Sequence, residues 1–435
     1  MNILIIGSGA REHAIVRAIE RSPKNKKIFC LGSNVNPGIA ELCDDFMVAN
    51  INHTQTITNY ANKKAADLAI IGPENPLAIG VADALWDVGV KVIGPMKDLA
   101  QIETSKAFAR DLLTEYNIPG SPKYKKFSSL GGVAEFLNEL GENYVVKFDG
   151  LAGGKGVKVS GDHLHSHDDA KAYCQELVEK GGVFVIEEKL IGQEFSLMSF
   201  CDGDTLKHMP AVQDHKRAYD GDTGPNTGGM GTYSDEDHSL PFLEKNDINQ
   251  AHEINIATAK ALKDKFGYGY KGVLYGGFIA TADGVKLIEY NARFGDPEAM
   301  NVLSLLESDF IEICNGITDC RLNQVNVRFK NKATVCKYAV PEGYPDNPVK
   351  GESIDLSNIE NPDTLFYASV DMHNGKLIEA GSRTVAVVGM AESISAAEQI
   401  AEKEVSAVGG PLFHRGDIGT DLLVQQRVEQ MKLLR

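Results

Sequence analysis

Several stretches of this chain combine residue types and spacings suited to handling phosphate. The richest runs Lys147-Phe148-Asp149-Gly150-Leu151-Ala152-Gly153-Gly154-Lys155-Gly156-Val157. It follows an apolar strand pattern from Tyr144 to Phe148 and leads into a second strand from Val157 to Ser160, so its glycines make a flexible turn between two strands. A P-loop would set Gly-Lys-Ser/Thr at the start of a helix, whereas Lys155 is followed by Gly156 and a strand. What remains is a glycine loop suited to folding over a triphosphate, with Lys147 on the strand beneath it. A mobile hairpin with surface lysines fits the same residues.

The stretch Glu289-Tyr290-Asn291-Ala292-Arg293 reads as a strand. Side chains alternate along a strand, so Glu289, Asn291 and Arg293 share one face and Ile288, Tyr290 and Ala292 the other. Carboxylate and amide oxygens two residues apart can both ligate Mg²⁺, a hard cation that takes a few protein oxygens plus phosphates. Arg293, close to Gly295-Asp296-Pro297-Glu298, could clamp a transferring phosphoryl group. An exposed polar strand face is the alternative.

Asp214-His215-Lys216-Arg217 and the run from Asp222 to Gly231 together read as a basic, then glycine-rich, loop of about twenty residues, long enough to imply a function. Its cations and backbone donors suit a phosphorylated sugar. At the start of the chain, Gly7-Ser8-Gly9-Ala10-Arg11-Glu12 begins like a dinucleotide fingerprint, but Glu12 stands at the third glycine position. The turn can still aim backbone N–H groups at a phosphate on a helix N-terminus, with Arg11 as a forked donor. A bare structural turn is the other reading.

The elements that must hold these residues follow from hydrophobic patterning. Strands at 2–6, 27–31, 67–71 and 91–93 alternate with helices at 11–20 and 77–88, which predicts a parallel α/β domain over 1–103. A helix at 105–116 is followed by two strand pairs and two helices over about 121–190, a compact α+β insertion. Long strands at 195–201, 272–281 and 285–291, with an amphipathic helix over 248–266, complete a middle region spanning 104–323. Strand patterns at 332–340, 364–372 and 384–390 and a helix at 395–408 predict a small α+β domain over 324–435. At about 150 residues per domain, 435 residues agree with three.

Composition narrows the function classes. With 44 Lys and Arg against 60 Asp and Glu, the net charge of −16 argues against nonspecific binding to nucleic acid or anionic membranes. No apolar run approaches the length of a membrane span, and Met1-Asn2-Ile3 lacks the basic start of a signal peptide. Seven scattered cysteines without a Cys-x-x-Cys pair suggest neither a disulfide framework nor a zinc site, so the expected location is the cytoplasm.

Taken jointly, the runs at 7–13, 72–74, 105–108, 147–156, 213–217, 222–231 and 289–298 resemble the phosphoribosylamine–glycine ligase (glycinamide ribonucleotide synthetase) family of the ATP-grasp superfamily. The resemblance covers nearly the whole chain, and the runs at 213–231 and 289–298 separate this family from other ATP-grasp ligases. The chain departs from the family's common pattern at Phe148 and Gly153, and in the C-terminal domain at Tyr367, Ser369, Val370 and Ser382.

The resemblance implies an N-terminal α/β substrate-binding domain, an ATP-grasp core with an inserted lid, and a small C-terminal domain. It implies ATP-dependent joining of glycine to 5-phosphoribosylamine through a glycyl phosphate, in purine biosynthesis, with ATP and Mg²⁺ or Mn²⁺ as cofactors. Lys106, Lys147 and the loop residues Gly153, Gly154, Lys155 and Gly156 are assigned to the nucleotide, with Glu187 and Glu194 at the adenine hinge and the ribose. Glu289 and Asn291 are assigned to the metal, and Arg293, with Lys147 and Lys155, to catalysis. Gly9, Arg11, Glu12, His13, Glu74, Asp214, Lys216, Asn226, Arg293, Asp296 and Pro297 are placed around phosphoribosylamine and glycine. A transient contact with the enzyme that supplies the labile amine is the one macromolecular partner implied.

Two rival enzymes share parts of this pattern. Another ATP-grasp ligase, such as a biotin-carboxylase-like one, would keep Lys147, the glycine loop, Glu289 and Asn291, but not the stretch at 213–231. A dinucleotide-dependent oxidoreductase would rest on the first glycine turn alone, and Glu12 counts against it. A catalytically dead binding module is disfavoured because every expected position is occupied.

Overall fold

The computed structural model describes residues 1–152 and 156–435. The N-terminal strands form a parallel sheet in the order Asp45–Val48, Lys27–Gly32, Asn2–Ile6, Leu68–Ile71, Lys91–Ile93. Ile3, Leu4, Ile5 and Ile6 are fully buried, as a central parallel strand requires. Strand order reverses beside Asn2–Ile6, which opens a crevice at the C-terminal ends of that strand and Leu68–Ile71. The two turns leaving these strands meet over the side chain of Glu12. A Cβ on Gly72 would lie 1.9 Å from Glu12 Oε1, and one on Gly7 would lie 2.8 Å from its Cδ, so both positions must stay bare.

The expected helix at 77–88 is two short ones, Glu74–Ala78 and Val81–Asp87, parted by Gly80 at φ +87°. Three further helices, Pro37–Leu42, Thr54–Lys63 and Lys97–Thr104, lie outside the pattern read from sequence.

Residues 121–190 form a four-stranded antiparallel sheet in the order Tyr124–Phe127, Phe184–Glu188, Tyr144–Phe148, Val157–Val159. Helices Val133–Leu140 and His167–Glu179 cover it, and Phe127, Phe136, Tyr144 and Phe184 make a core separate from the main one. The central sheet runs Leu206–His208, Gln193–Cys201, Gly272–Thr281, Gly284–Asn291. Its last pairing contains a bulge. Gly277 opposes Glu289 while Phe278 opposes Leu287, which leaves Ile288 as the extra residue.

The stretch at 213–231 is not an irregular loop. Gln213–Asp214 and Gly231–Ser234 are strands, and between them Arg217–Tyr219 and Thr223–Asn226 pair as a hairpin. Gly231–Ser234 joins the C-terminal sheet beside Ala333–Pro341, so that sheet draws strands from both sides of residue 323. The expected strand at 364–372 is two, Leu365–Tyr367 and Val370–His373, in different sheets. Helix Ile394–Ser406 packs on this sheet, and an unanticipated helix, Asp421–Leu434, ends the chain.

Candidate active site

A cleft of about 850 Å³ lies between the small antiparallel unit, the central sheet, the N-terminal crevice and the C-terminal domain. Strand Tyr144–Phe148 brings Lys147 to its roof, and strand Gly284–Asn291 brings Glu289 and Asn291 to its floor. Helix Lys106–Glu115 points its N-terminal turn at the glycine loop. Ser105 caps that helix by accepting from Phe108 N, and Asp149 accepts from Ser105 Oγ at 3.1 Å and from Ala107 N at 3.0 Å. Lys106 Nζ donates to Gly150 O at 3.1 Å, which ties the lysine to the residue after Asp149.

The floor strand explains why its polar residues are available. Tyr290 is buried, with its hydroxyl donating to Thr258 Oγ1 at 2.8 Å, and Ala292 is buried too, while Glu289, Asn291 and Arg293 remain half-buried on the cleft side. Ile288 departs from the expected alternation. The bulge leaves it beside the cleft, and its carbonyl accepts from Arg110 Nη2 at 2.7 Å and Lys147 Nζ at 3.3 Å.

Opposed charges set the protonation states. Burial pushes the Glu289 carboxyl up, but Lys216, Lys106, Lys147 and Arg293 outweigh it and hold it below the usual carboxylate range. Glu194 above all, with Glu289 and Asp214 behind it, raises Lys216 despite burial. Burial would lower Arg293, yet Glu103 and Glu74 raise it; Glu103 Oε1 lies 2.9 Å from Nη2 and Glu74 Oε2 lies 3.5 Å from Nε. Burial, then Glu298, pushes Asp214 well up.

Most expected site residues meet in this one cleft: Arg11, Glu74, Lys106, Lys147, Gly156, Glu187, Glu194, Asp214, Lys216, Asn226, Glu289, Asn291, Arg293 and Asp296 all line it. Gly153, Gly154 and Lys155 lie outside the described residues. Four expected residues lie outside this lining. The Gly9 N–H, expected at a phosphate, donates to Glu12 Oε2 at 2.6 Å. Glu12 is buried beneath the turn, and its other oxygen takes Arg11 Nε at 2.7 Å, so it shapes the crevice rather than lining it. His13 stacks on Tyr367 with ring centroids 5.7 Å apart and accepts Tyr367 N at 3.1 Å, which makes it a joint between the N- and C-terminal domains. Burial lowers its pKa to about 3, so it stays neutral. Pro297 is buried and precedes helix Glu298–Leu305 outside the lining.

Among the lining residues not singled out from the sequence are Glu103, Arg110 and Arg383. Glu103 orients Arg293 and also accepts Ala292 N at 2.7 Å, but nothing in its spacing marks it. Arg110 holds Glu187 through Nε at 2.8 Å and Nη2 at 3.0 Å; its place four residues after Lys106 on one helix face was a readable signal. Arg383, from the C-terminal domain, donates to the carbonyls of Gly228, Gly229 and Asp296. The departure at Ser382 therefore adjoins a residue that enters the cleft.

A cation is compatible with the donors present. Among the described residues, the carboxylate of Glu289 and the amide of Asn291 take no hydrogen bond, both face the cleft, and Glu289 is held ionised. No group of three His, Cys, Asp or Glu among the described residues forms a metal cage. These two hard oxygens thus suit an ion that takes its remaining ligands from phosphates and water.

A parallel N-terminal domain, a small antiparallel lid facing a central antiparallel sheet, and a cleft with two lysines opposite a carboxylate–amide pair define the ATP-grasp class. Within it, the chain belongs to the phosphoribosylglycinamide synthetase family, whose N domain matches residues 1–103, ATP-grasp (A) domain 104–299 and C domain 334–421. It is 50% identical to the phosphoribosylamine–glycine ligase of Methanosarcina barkeri over 435 residues, the whole of both chains. The crystal structure of a phosphoribosylamine–glycine ligase from Thermotoga maritima superposes with a TM-score of 0.80 at 27% identity, covering 96% of this chain and 100% of that one. A biotin carboxylase domain from Hydrogenobacter thermophilus, in complex with MgADP and bicarbonate, covers 99% of this chain and 93% of that one with a TM-score of 0.72. At 13% identity that likeness extends to the fold alone.

Proposed function

We propose that the chain catalyses the ATP-dependent ligation of glycine to 5-phosphoribosylamine, giving glycinamide ribonucleotide, ADP and phosphate, a step of purine biosynthesis. The observation that carries this reading is the meeting, in one cleft of a chain from this family, of Lys106 and Lys147 with Glu289, Asn291 and Arg293 and with Lys216 and Asn226 of the hairpin.

The chemistry asks for positioning and charge neutralisation. A carboxylate oxygen of glycine attacks the γ-phosphorus of ATP and ADP leaves. The amine of phosphoribosylamine then attacks the carbonyl carbon of glycyl phosphate, loses a proton, and phosphate departs. Lys147 already donates to Ile288 O and lies 2.7 Å from Glu187, which leaves one of its three N–H groups for a phosphate oxygen. Lys106 stands beside the loop for the same task. Glu289 and Asn291 would hold Mg²⁺ or Mn²⁺, which supplies charge neutralisation to the phosphoryl group. Arg293, fixed from behind by Glu103, presents its guanidinium to the acyl phosphate, while Arg11, Glu74, Asp214, Lys216, Asn226 and Asp296 surround the two acceptor substrates.

Glycine labelled with ¹⁸O in its carboxylate tests the route. One labelled oxygen should appear in the released phosphate and one should remain in the amide. Unlabelled phosphate would exclude the glycyl phosphate.

A further inference from the structure

The hairpin that carries Lys216 and Asn226 into the cleft has little support of its own. Among the described residues its strands, Arg217–Tyr219 and Thr223–Asn226, pair only with each other. An isolated two-stranded ribbon is marginal in water. Its turn also includes Asp222 at φ +54°, a conformation that non-glycine residues adopt at a cost.

What fastens it comes from the far end of the chain. Arg415 is buried to 1% exposure. Its guanidinium reaches Asp417 through Nε at 2.8 Å and Nη2 at 2.7 Å, while Nη1 donates to Asp222 Oδ1 at 2.9 Å and to Arg217 O at 3.1 Å. Arg427 takes the second oxygen of Asp222. Two backbone bonds complete the join: Gly221 N donates to Asp417 Oδ2 at 2.9 Å, and Gly416 N to Asp220 Oδ1 at 3.1 Å. At the cleft end, Thr227 N donates to Lys216 O at 2.7 Å, so the hairpin passes its position directly to Lys216.

We propose that Arg415 is a positioning residue for the ligation: clamped between Asp417 and Asp222, it fixes the 217–226 hairpin to the C-terminal domain and so sets Lys216 and Asn226 against the acceptor substrates. It touches no reacting atom. Its buried forked geometry satisfies two carboxylates and a carbonyl at once, which a lysine cannot reproduce. This role gives the C-terminal domain a task in catalysis beyond packing, and it rests on the ligase reading above.

The test compares wild type, Arg415→Met, Asp222→Asn and the double variant by steady-state kinetics and by hydrogen exchange of the hairpin amides. In Arg415→Met the KM for phosphoribosylamine or glycine should rise about tenfold while the KM for ATP changes less than about twofold. Hairpin amides should exchange faster, with those of strand Asn2–Ile6 unchanged. Asp222→Asn should act in the same direction, Arg415→Lys should restore part of the loss, and the double variant should lose less than the sum of the two single losses because the Arg415–Asp222 contact is shared between them. Unchanged acceptor KM values or unchanged hairpin exchange in a folded variant would overturn the proposal, as would an equal rise in the KM for ATP. If Arg415→Met does not fold, the more exposed Asp222→Asn decides on the same criteria. If wild type fails to use glycine with phosphoribosylamine, the ligase reading falls, and hairpin exchange still decides whether the clamp exists.

Discussion

Lys147 stands 2.7 Å from Glu187 across neighbouring strands of the lid, on a diagonal set by the pairing of Val145 with Glu187. Arg110 grips the same carboxylate from the helix below, so one buried acid joins the lid to the central body. Burial alone would push Glu187 up, but Arg110 and Lys147 hold it down at about 2.

That depression predicts an acid response. The unfolded carboxyl titrates near 4.5 and the folded one near 2, so the stability it contributes is whole above 4.5 and is lost as pH falls towards 2. Arg110→Met removes the stronger of the two attractions and should move the acid-unfolding midpoint, followed by circular dichroism, to higher pH. An unmoved midpoint would show that the pair contributes nothing to acid resistance.

The two faces of the floor strand should separate chemistry from packing. Glu289→Ala should raise the Mg²⁺ requirement and lower turnover with little change in apo melting temperature, since this side chain faces the cleft. Tyr290→Ala, which empties a buried site and strands Thr258, should cost about 2–4 kcal/mol of stability. Melting curves and metal titrations of both variants check this, and exchanged phenotypes would reverse the assignment.

How much of this was legible in the sequence depended on the length and monotony of each signal. Strand Gly272–Thr281 was read with its true ends because all ten of its residues are buried. The hairpin at 217–226 reads as a loop because its strands hold only three and four residues, and the second, Thr223–Asn226, contains Gly224 and Pro225. The alternation rule placed Tyr290 correctly but failed at Ile288, since an inserted residue opposite Gly277 leaves no mark in composition. The motif at 7–13 is legible as a turn, but not the use of Glu12 to satisfy the Gly9 N–H. Arg383 reaches Gly228, and Arg415 reaches Asp222, across more than 150 residues of chain, beyond any local pattern.

Glu103 offers a check on the acid that spacing could not reveal. With its carboxylate bonded to Ala292 N and set against Arg293, Glu103→Gln should leave the backbone contact available but loosen the guanidinium. Turnover should fall about tenfold or more with KM for ATP little changed, as for loss of an interaction used in the transition state. A variant with wild-type kcat would release Arg293 from dependence on Glu103.

The N-terminal crevice can be tested by filling it. A methyl group at Gly72 would collide with Glu12 Oε1 at 1.9 Å and dislodge the carboxylate that caps Gly9. Gly72→Ala should therefore destabilise the protein by about 1–3 kcal/mol in denaturant unfolding. A neutral result would mean that Glu12 can leave its buried place freely.

The central claim is that this cleft phosphorylates glycine for transfer to phosphoribosylamine. Its most direct test is ADP release measured with ATP and Mg²⁺, omitting glycine and phosphoribosylamine in turn. The account predicts turnover at a useful rate only when both are present, with glycinamide ribonucleotide formed in step with ADP. ADP release driven by bicarbonate and biotin, with glycine inert, would contradict it.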